Sequence, residues 1–198
     1  MYEARLEAIK GDIQYEINTI IFTTDEVNRL SLLIDEEKDE KKKREYKSQN
    51  NAFLESHLIH ARVLRDFFCL SHCIHLHRDQ ALAEEYIGNS IEWHSNRYRM
   101  TYLEDPKTRK KLNALLAHLS YKRANLAKVN ETDWDIYKTK FEILKAWKVF
   151  IENLPENRKN WFEPPPELPS ELPTLMSNTS TSVSFTSLAV PPYDVTGV

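Results

Sequence analysis

The chain has 198 residues, and its 27 basic and 30 acidic side chains give a net charge of −3, which predicts no general attraction to nucleic acid. It has only three glycines, 29% of its residues are charged, and the first ~160 residues lack strong strand patterns, so the composition indicates an all-helical protein. No apolar run reaches the ~18 residues of a membrane span, and the N-terminus lacks a secretory pattern, so we expect a cytoplasmic protein with no membrane partner.

Residues 2 to about 36 predict one long helix or two nearly continuous helices, with Thr24 or Asp25 as the cap of the second. The isoleucines of this segment recur at spacings of three and four residues, as they do on one face of a helix. The charged segment 35–47 follows and has almost no apolar residue. Its run of Lys41, Lys42, Lys43 and Arg44 could contact phosphates, but a solvated connection with compensating acids is the favoured interpretation.

Residues 51–68 predict the central helix, with Ser48 or Asn50 as its N-cap. The segment is apolar around most of its circumference, which is typical of a helix packed on several sides. Glu55, Arg62 and Asp66 fall within ~40° of one another on this helix. Together they could form a structural ion network or one wall of an active site, and the structural role is favoured.

Residues 69–77 hold residue types that can bind zinc, namely Cys69, His72, Cys73, His75 and His77. Their spacing matches no closed zinc site, and no second ligand cluster occurs elsewhere in the chain. The two cysteines lie one helical turn apart, which is poor geometry for a disulfide. The sequence therefore predicts no metal and no cofactor. It also predicts that the two thiols are free, in a reducing compartment.

Segment 78–100 predicts one short helix, with Asp79 as its cap and Gly88 as its end, followed by irregular chain. In that chain Trp93 is expected to plug the core. The next helix is predicted for residues 106–121, because a proline after Asp105 favours a helix start. It carries Lys111 and His118, and His118 is expected to lie near a helix contact.

A last long helix is predicted for residues 134–154, with its cap among residues 130–133. Glu142 is among the side chains expected to face water on this helix, and Trp161 and Phe162 are expected to dock back onto the helices. Together these elements predict an all-α, four- to five-helix up-and-down bundle in residues 1–162. Residues 163–198 are rich in Pro, Ser and Thr and predict a disordered tail, with a peptide-docking motif as the alternative.

The order of three stretches carries a family resemblance. NAFLESHLIHARVLRDFF, DQALAEEYI and LNALLAHLSYKR follow one another as in HEPN-like (higher eukaryotes and prokaryotes nucleotide-binding) proteins, especially small stand-alone bacterial members similar to abortive-infection proteins. The resemblance covers most of residues 12–154. It implies a four- or five-helix bundle that is often a dimer, and in the catalytic branch a metal-independent ribonuclease in which two protomers join their Arg-x4-6-His motifs.

The resemblance places the family histidine at His118, which would act as general acid or base on the ribose 2′-hydroxyl. The family arginine would fall at Asn113, Leu112 or Lys111, and none of these is arginine. Lys111 supplies a charge without the planar fork that binds phosphate through two hydrogen bonds. This departure favours the non-catalytic members of the family.

Two functions follow as hypotheses. The first is a non-catalytic HEPN-like binding or regulatory protein that forms a homodimer through the central helix or the helix starting at Pro106. It would bind RNA, a nucleotide or a partner protein. The alternative is a ribonuclease of the toxin or phage-defence type, with His118 as its catalytic residue and Lys111, Asn113 and Arg62 as candidate helpers.

Overall fold

The computed structural model describes residues 2–71, 80–116, 134–167 and 182–183, and confirms the all-α prediction. In chain order the helices are α1 (Tyr2–Glu36), α2 (Glu40–Cys69), α3 (Ala83–Ile87), α4 (Ser90–Asn96), α5 (Pro106–Leu116) and α6 (Ile136–Asn153), followed by a 3-10 helix at Glu156–Trp161. None of the helices in these residues combines the length and apolarity that crossing a bilayer requires.

The second helix begins earlier than the sequence predicted. Asp39 is its N-cap, and the side chain accepts hydrogen bonds from the backbone N–H groups of Lys41 at 2.8 Å and Lys42 at 3.4 Å. A carboxylate here satisfies N–H groups that have no partner within the helix. The basic run therefore forms the solvated first turns of α2, and the predicted cap Asn50 lies buried inside the helix.

The centre of α2 lies in the core, as predicted. Leu54, Leu58, Ala61, Leu64 and Phe68 are essentially inaccessible to water. Ile59 and Val63, which belong to the predicted apolar circumference of this helix, are nevertheless 47% and 46% exposed. Among the described residues, helix α2 is thus central to the core and exposes apolar side chains on one face.

Two clusters of buried residues make up the core. The larger cluster is dominated by aromatic side chains, with Phe68, Trp93, Trp147 and Phe150 at its centre. The smaller cluster joins α1, α2, α5 and the start of α6, and it contains Val27, Leu54, Leu58, Leu112, Trp134 and Ile136. The two clusters share α2, so this helix ties both ends of the fold together.

Trp93 plugs the core as predicted, but it does so from a helix that the sequence analysis missed. Gly88 ends α3 with a φ of 78°, a conformation that glycine adopts without steric cost. Asn89 then caps α4 by accepting a hydrogen bond from the Glu92 N–H at 3.1 Å. The indole of Trp93 donates to the Phe68 carbonyl at 3.0 Å. Asp79, the predicted cap of the short helix, lies outside the described residues.

The C-terminal part of the described chain returns to the core. Phe162 is buried in the aromatic cluster, as expected, and the Glu163 N–H donates to the Gln14 side chain at 2.9 Å. Two short strands, β1 (Trp134–Asp135) and β2 (Ser182–Val183), pair antiparallel. Residues 168–181 and 184–198, most of the segment predicted to be a disordered tail, lie outside the described residues.

Asp135 is the N-cap of helix α6, and its side chain accepts from the Lys138 N–H at 2.8 Å. The sequence predicted this cap among residues 130–133. The expectation that Glu142 faces water was also wrong, since this residue is 2% exposed. Its carboxylate accepts hydrogen bonds from the Thr101 hydroxyl at 2.9 Å and from the N–H groups of Tyr102 at 2.8 Å and Leu103 at 3.0 Å. Glu142 therefore fixes the turn before α5 against α6.

Replacing Glu142 with glutamine is expected to destabilise the fold by about 2–3 kcal/mol, because an amide nitrogen would face donors and leave buried N–H groups unpaired. Chemical denaturation measures this change in the free energy of unfolding. The matched control is Glu152→Gln on the same helix, whose exposed carboxylate lies 3.9 Å from Lys148 and should contribute less than about 0.5 kcal/mol. Equal effects of the two substitutions would contradict the assigned role of Glu142.

Candidate binding groove between α1 and α2

Cross-helix contacts fix the register of α1 against α2. Glu16 pairs with His60, whereas Thr23, about two turns later on α1, contacts His57, earlier on α2. Residues of increasing number on α1 therefore contact residues of decreasing number on α2, so the two helices run antiparallel. This is the most extensive contact between elements of the fold.

A groove of about 640 Å³ lies along this seam, between the first half of α1 and the second half of α2. Residues 80–82 also line it. Its apolar lining is formed by Ile9, Ile13, Ile59, Val63, Leu64 and Phe67. Leu64 and Phe67 are buried, whereas Ile59 and Val63 are nearly half exposed, so the groove presents accessible apolar surface to the solvent.

The charged lining of the groove is mainly acidic. Asp12, Glu16 and Asp66 supply three carboxylates and Arg62 one guanidinium. Arg65, behind the lining, also pairs with Asp66, so the net is one negative charge and the excess lies on the α1 wall. Asp12 is exposed and forms no ion pair with any other residue in the described ranges. The Glu16 carboxylate lies 2.6 Å from His60 Nδ1, and the ring of His60 packs edge-on against Tyr15 at 5.9 Å.

The predicted charge stripe of α2 lies partly in this groove. Arg62 and Asp66 both line it, and Arg62 Nε lies 4.0 Å from Asp66 Oδ2. Glu55 is half-buried and does not line it. The sequence analysis did not single out the buried Arg65, which donates to Asp66 Oδ1 from Nε at 3.0 Å and from Nη2 at 2.6 Å. Two arginines thus hold the Asp66 carboxylate.

The remaining candidates from the sequence lie elsewhere. Lys111 Nζ lies 4.2 Å from the centroid of the Trp134 ring, a cation–π contact at the smaller core cluster. Asn113 is exposed on α5, and neither residue lines the groove that contains Arg62. His118 lies outside the described residues. Lys111 and Asn113 thus lie on a different helix from Arg62 and outside the groove that it lines.

The candidate metal ligands are only partly described, because residues 72–79 lie outside the described residues. Cys69 is a free thiol with Arg97 Nη1 at 3.6 Å from its sulfur. Burial raises the pKa of Cys69 to about 12, so this thiol stays protonated and is a poor nucleophile or ligand. Across the described ranges, no group of three or more His, Cys, Asp or Glu side chains could hold a metal ion.

His57 is a buried polar residue at the same seam that the sequence analysis missed. The Thr23 hydroxyl donates its one proton to the Thr19 carbonyl at 2.7 Å. It therefore accepts from His57 Nδ1 at 3.1 Å, which sets the neutral tautomer with its proton on Nδ1. Burial, then the charges of Lys140 and His60, lower the pKa of His57 to about 3.

This low pKa makes His57 a source of acid sensitivity. The unfolded chain takes up a proton at this side chain near pH 6.5, whereas the folded chain does so only near pH 3. The stability that His57 contributes is fully present above pH 6.5 and is lost as the pH falls toward 3. Replacing His57 with glutamine should reduce the slope of the free energy of unfolding against pH in this range. The reduction is at most about 1.4 kcal/mol per pH unit, the value for one proton.

Denaturation at a series of pH values measures that slope. Thr23→Val is the matched control, because it removes the hydrogen-bond partner but leaves the imidazole in place, and should lower stability at every pH without flattening the slope. Parallel pH profiles for His57→Gln and the unaltered protein would contradict the burial of a neutral imidazole at this seam.

No family model, curated protein or solved structure matches this chain.

Proposed function

We propose that this protein is a non-catalytic helical binding protein that holds a protein partner in the groove between α1 and α2. The observation that supports this proposal is the exposure of Ile59 and Val63 beside a buried apolar wall. Contiguous apolar surface open to water and rimmed by charge is typical of a protein-binding site. The groove also holds no pairing of a nucleophile with a base among its described lining residues.

The charge of the groove favours a protein over RNA or a nucleotide. Phosphate groups bind where lysine and arginine outnumber acids, and their affinity comes largely from that charge. Here three carboxylates line the surface, and Arg62, the only base among the described lining residues, lies beside one of them, Asp66. Because Arg62 and Arg65 both pair with Asp66, the carboxylates that would repel a polyanion are Asp12 and Glu16 on the α1 wall.

The HEPN-like resemblance and the expected homodimer stay predictions within this proposal. In a dimer formed through this groove, the acidic residues of the two copies would face and repel each other. We therefore assign self-association to α5, the helix that starts at Pro106 and the other expected dimer contact. The ribonuclease alternative needs His118 with a cationic helper. Lys111 stacks on Trp134 and Arg62 lies in the groove beside Asp66, which supports the non-catalytic branch.

The ribonuclease alternative has a direct test. The purified protein and its His118→Ala variant are incubated with a labelled RNA pool without metal ions. The expected result is that neither protein cleaves RNA above background. Cleavage that disappears in the variant would overturn the non-catalytic proposal.

Binding through the groove is tested by selecting peptides from a random library on the immobilised full chain. Most independent binders are expected to lose at least about tenfold in affinity when Val63 is replaced with aspartate, because burying the new charge is costly. The matched control is Ile91→Asp, since Ile91 is 82% exposed and lies outside the groove. Binders that are indifferent to Val63→Asp, or no binders at all, would contradict the proposed function.

A further inference from the structure

We infer that the occupant of the groove is a basic amphipathic helix, about two to three turns long, from a partner protein. This inference rests on the proposed function and adds the chemistry of the partner. The length of the groove, the paired backbone groups of its walls and the charges that line it support this inference.

The dimensions of the groove fit a short helix. Its lining runs from Ile9 to Glu16 on α1 and from Ile59 to Phe67 on α2. At about 1.5 Å per residue, each wall is about 11–12 Å long, which equals about two helical turns. The exposed Ile59 and Val63 are four residues apart, a ridge that packs between the side chains of another helix.

The walls of the groove also select for helical backbone. Within α1 and α2 the backbone N–H and C=O groups are already paired along each helix, so they cannot bind the backbone of an extended peptide. An extended occupant would bury its own polar groups without partners. A helix satisfies these groups internally and presents only its side chains to the groove.

The charges that line the groove determine which net charge its occupant must carry. The chain's own C-terminal segment, residues 163–198, has no lysine or arginine and contains four acids, so it would be repelled. A second copy of the groove would also be repelled. Asp12 and Glu16 lie on the α1 wall, where lysine or arginine side chains of the occupant could reach them while its apolar face contacts Ile59 and Val63.

The test uses a synthetic 14-residue peptide with leucines at the i, i+3, i+4 and i+7 positions of a helix and lysines at most others. A second peptide has glutamate in place of every lysine. Binding to the full chain is measured by fluorescence anisotropy at low salt, with a labelled single-stranded RNA as a third probe. We expect the lysine peptide to bind at least about tenfold more tightly than the glutamate peptide, and RNA to show no binding that depends on the groove.

Charge reversal in the groove locates the binding site. The double substitution Asp12→Lys and Glu16→Lys should weaken the lysine peptide by at least about tenfold. The matched control is Glu152→Lys with Glu156→Lys, which makes the same change in net charge on exposed residues outside the groove and should have an effect of less than about threefold. Asp12→Asn alone, at an exposed residue, should weaken binding without altering the fold. Circular dichroism and denaturation check each variant.

Several outcomes would overturn the inference. These are equal binding of the two peptides, equal effects of the groove and control reversals, or RNA binding that Val63→Asp abolishes. The inference can fail while the proposed function holds. Library peptides that depend on Val63 but carry no lysine or arginine would support the groove as a binding site and would contradict a basic occupant.

Discussion

The antiparallel contact between α1 and α2 is the interaction on which the rest of the structure depends. Both core clusters are built on α2, and α1 contributes to each of them. Cross-helix pairs at His57 and His60 fix how far one helix is displaced along the other. A shift of one turn would separate both pairs and would also dismantle the groove, because its two walls come from these two helices.

The same contact explains why one side of the fold is apolar and yet exposed. Helix α2 buries Leu54, Leu58, Ala61 and Leu64 toward the core, so its opposite face remains at the surface. A surface helix usually carries polar residues on that face. Here the face carries Ile59 and Val63 between charged neighbours, and exposed apolar residues of this kind cost solubility unless a partner uses them.

The sequence predicted the helices well because apolar spacing is a local signal, and it identified α2 as the central helix. Capping was less predictable: Asp39 and Asn89 each start a helix that the spacing placed elsewhere or missed. Glu142 looked solvated because its three partners lie about forty residues earlier in the chain. Likewise, the contact between α1 and α2 brings Glu16 to His60, and no periodicity within one helix reveals a pairing across 44 residues.

The central claim is that the outer face of the α1–α2 pair is open in the free protein. Single cysteines placed at residues 58, 59, 63 and 64 test it most directly, with alkylation rates at each position followed by mass spectrometry of the resulting peptides. The account predicts fast labelling at 59 and 63, where Ile59 and Val63 are exposed, and slow labelling at 58 and 64, where Leu58 and Leu64 are buried. Uniform rates, or protection at 59 and 63 that grows with protein concentration, would contradict it.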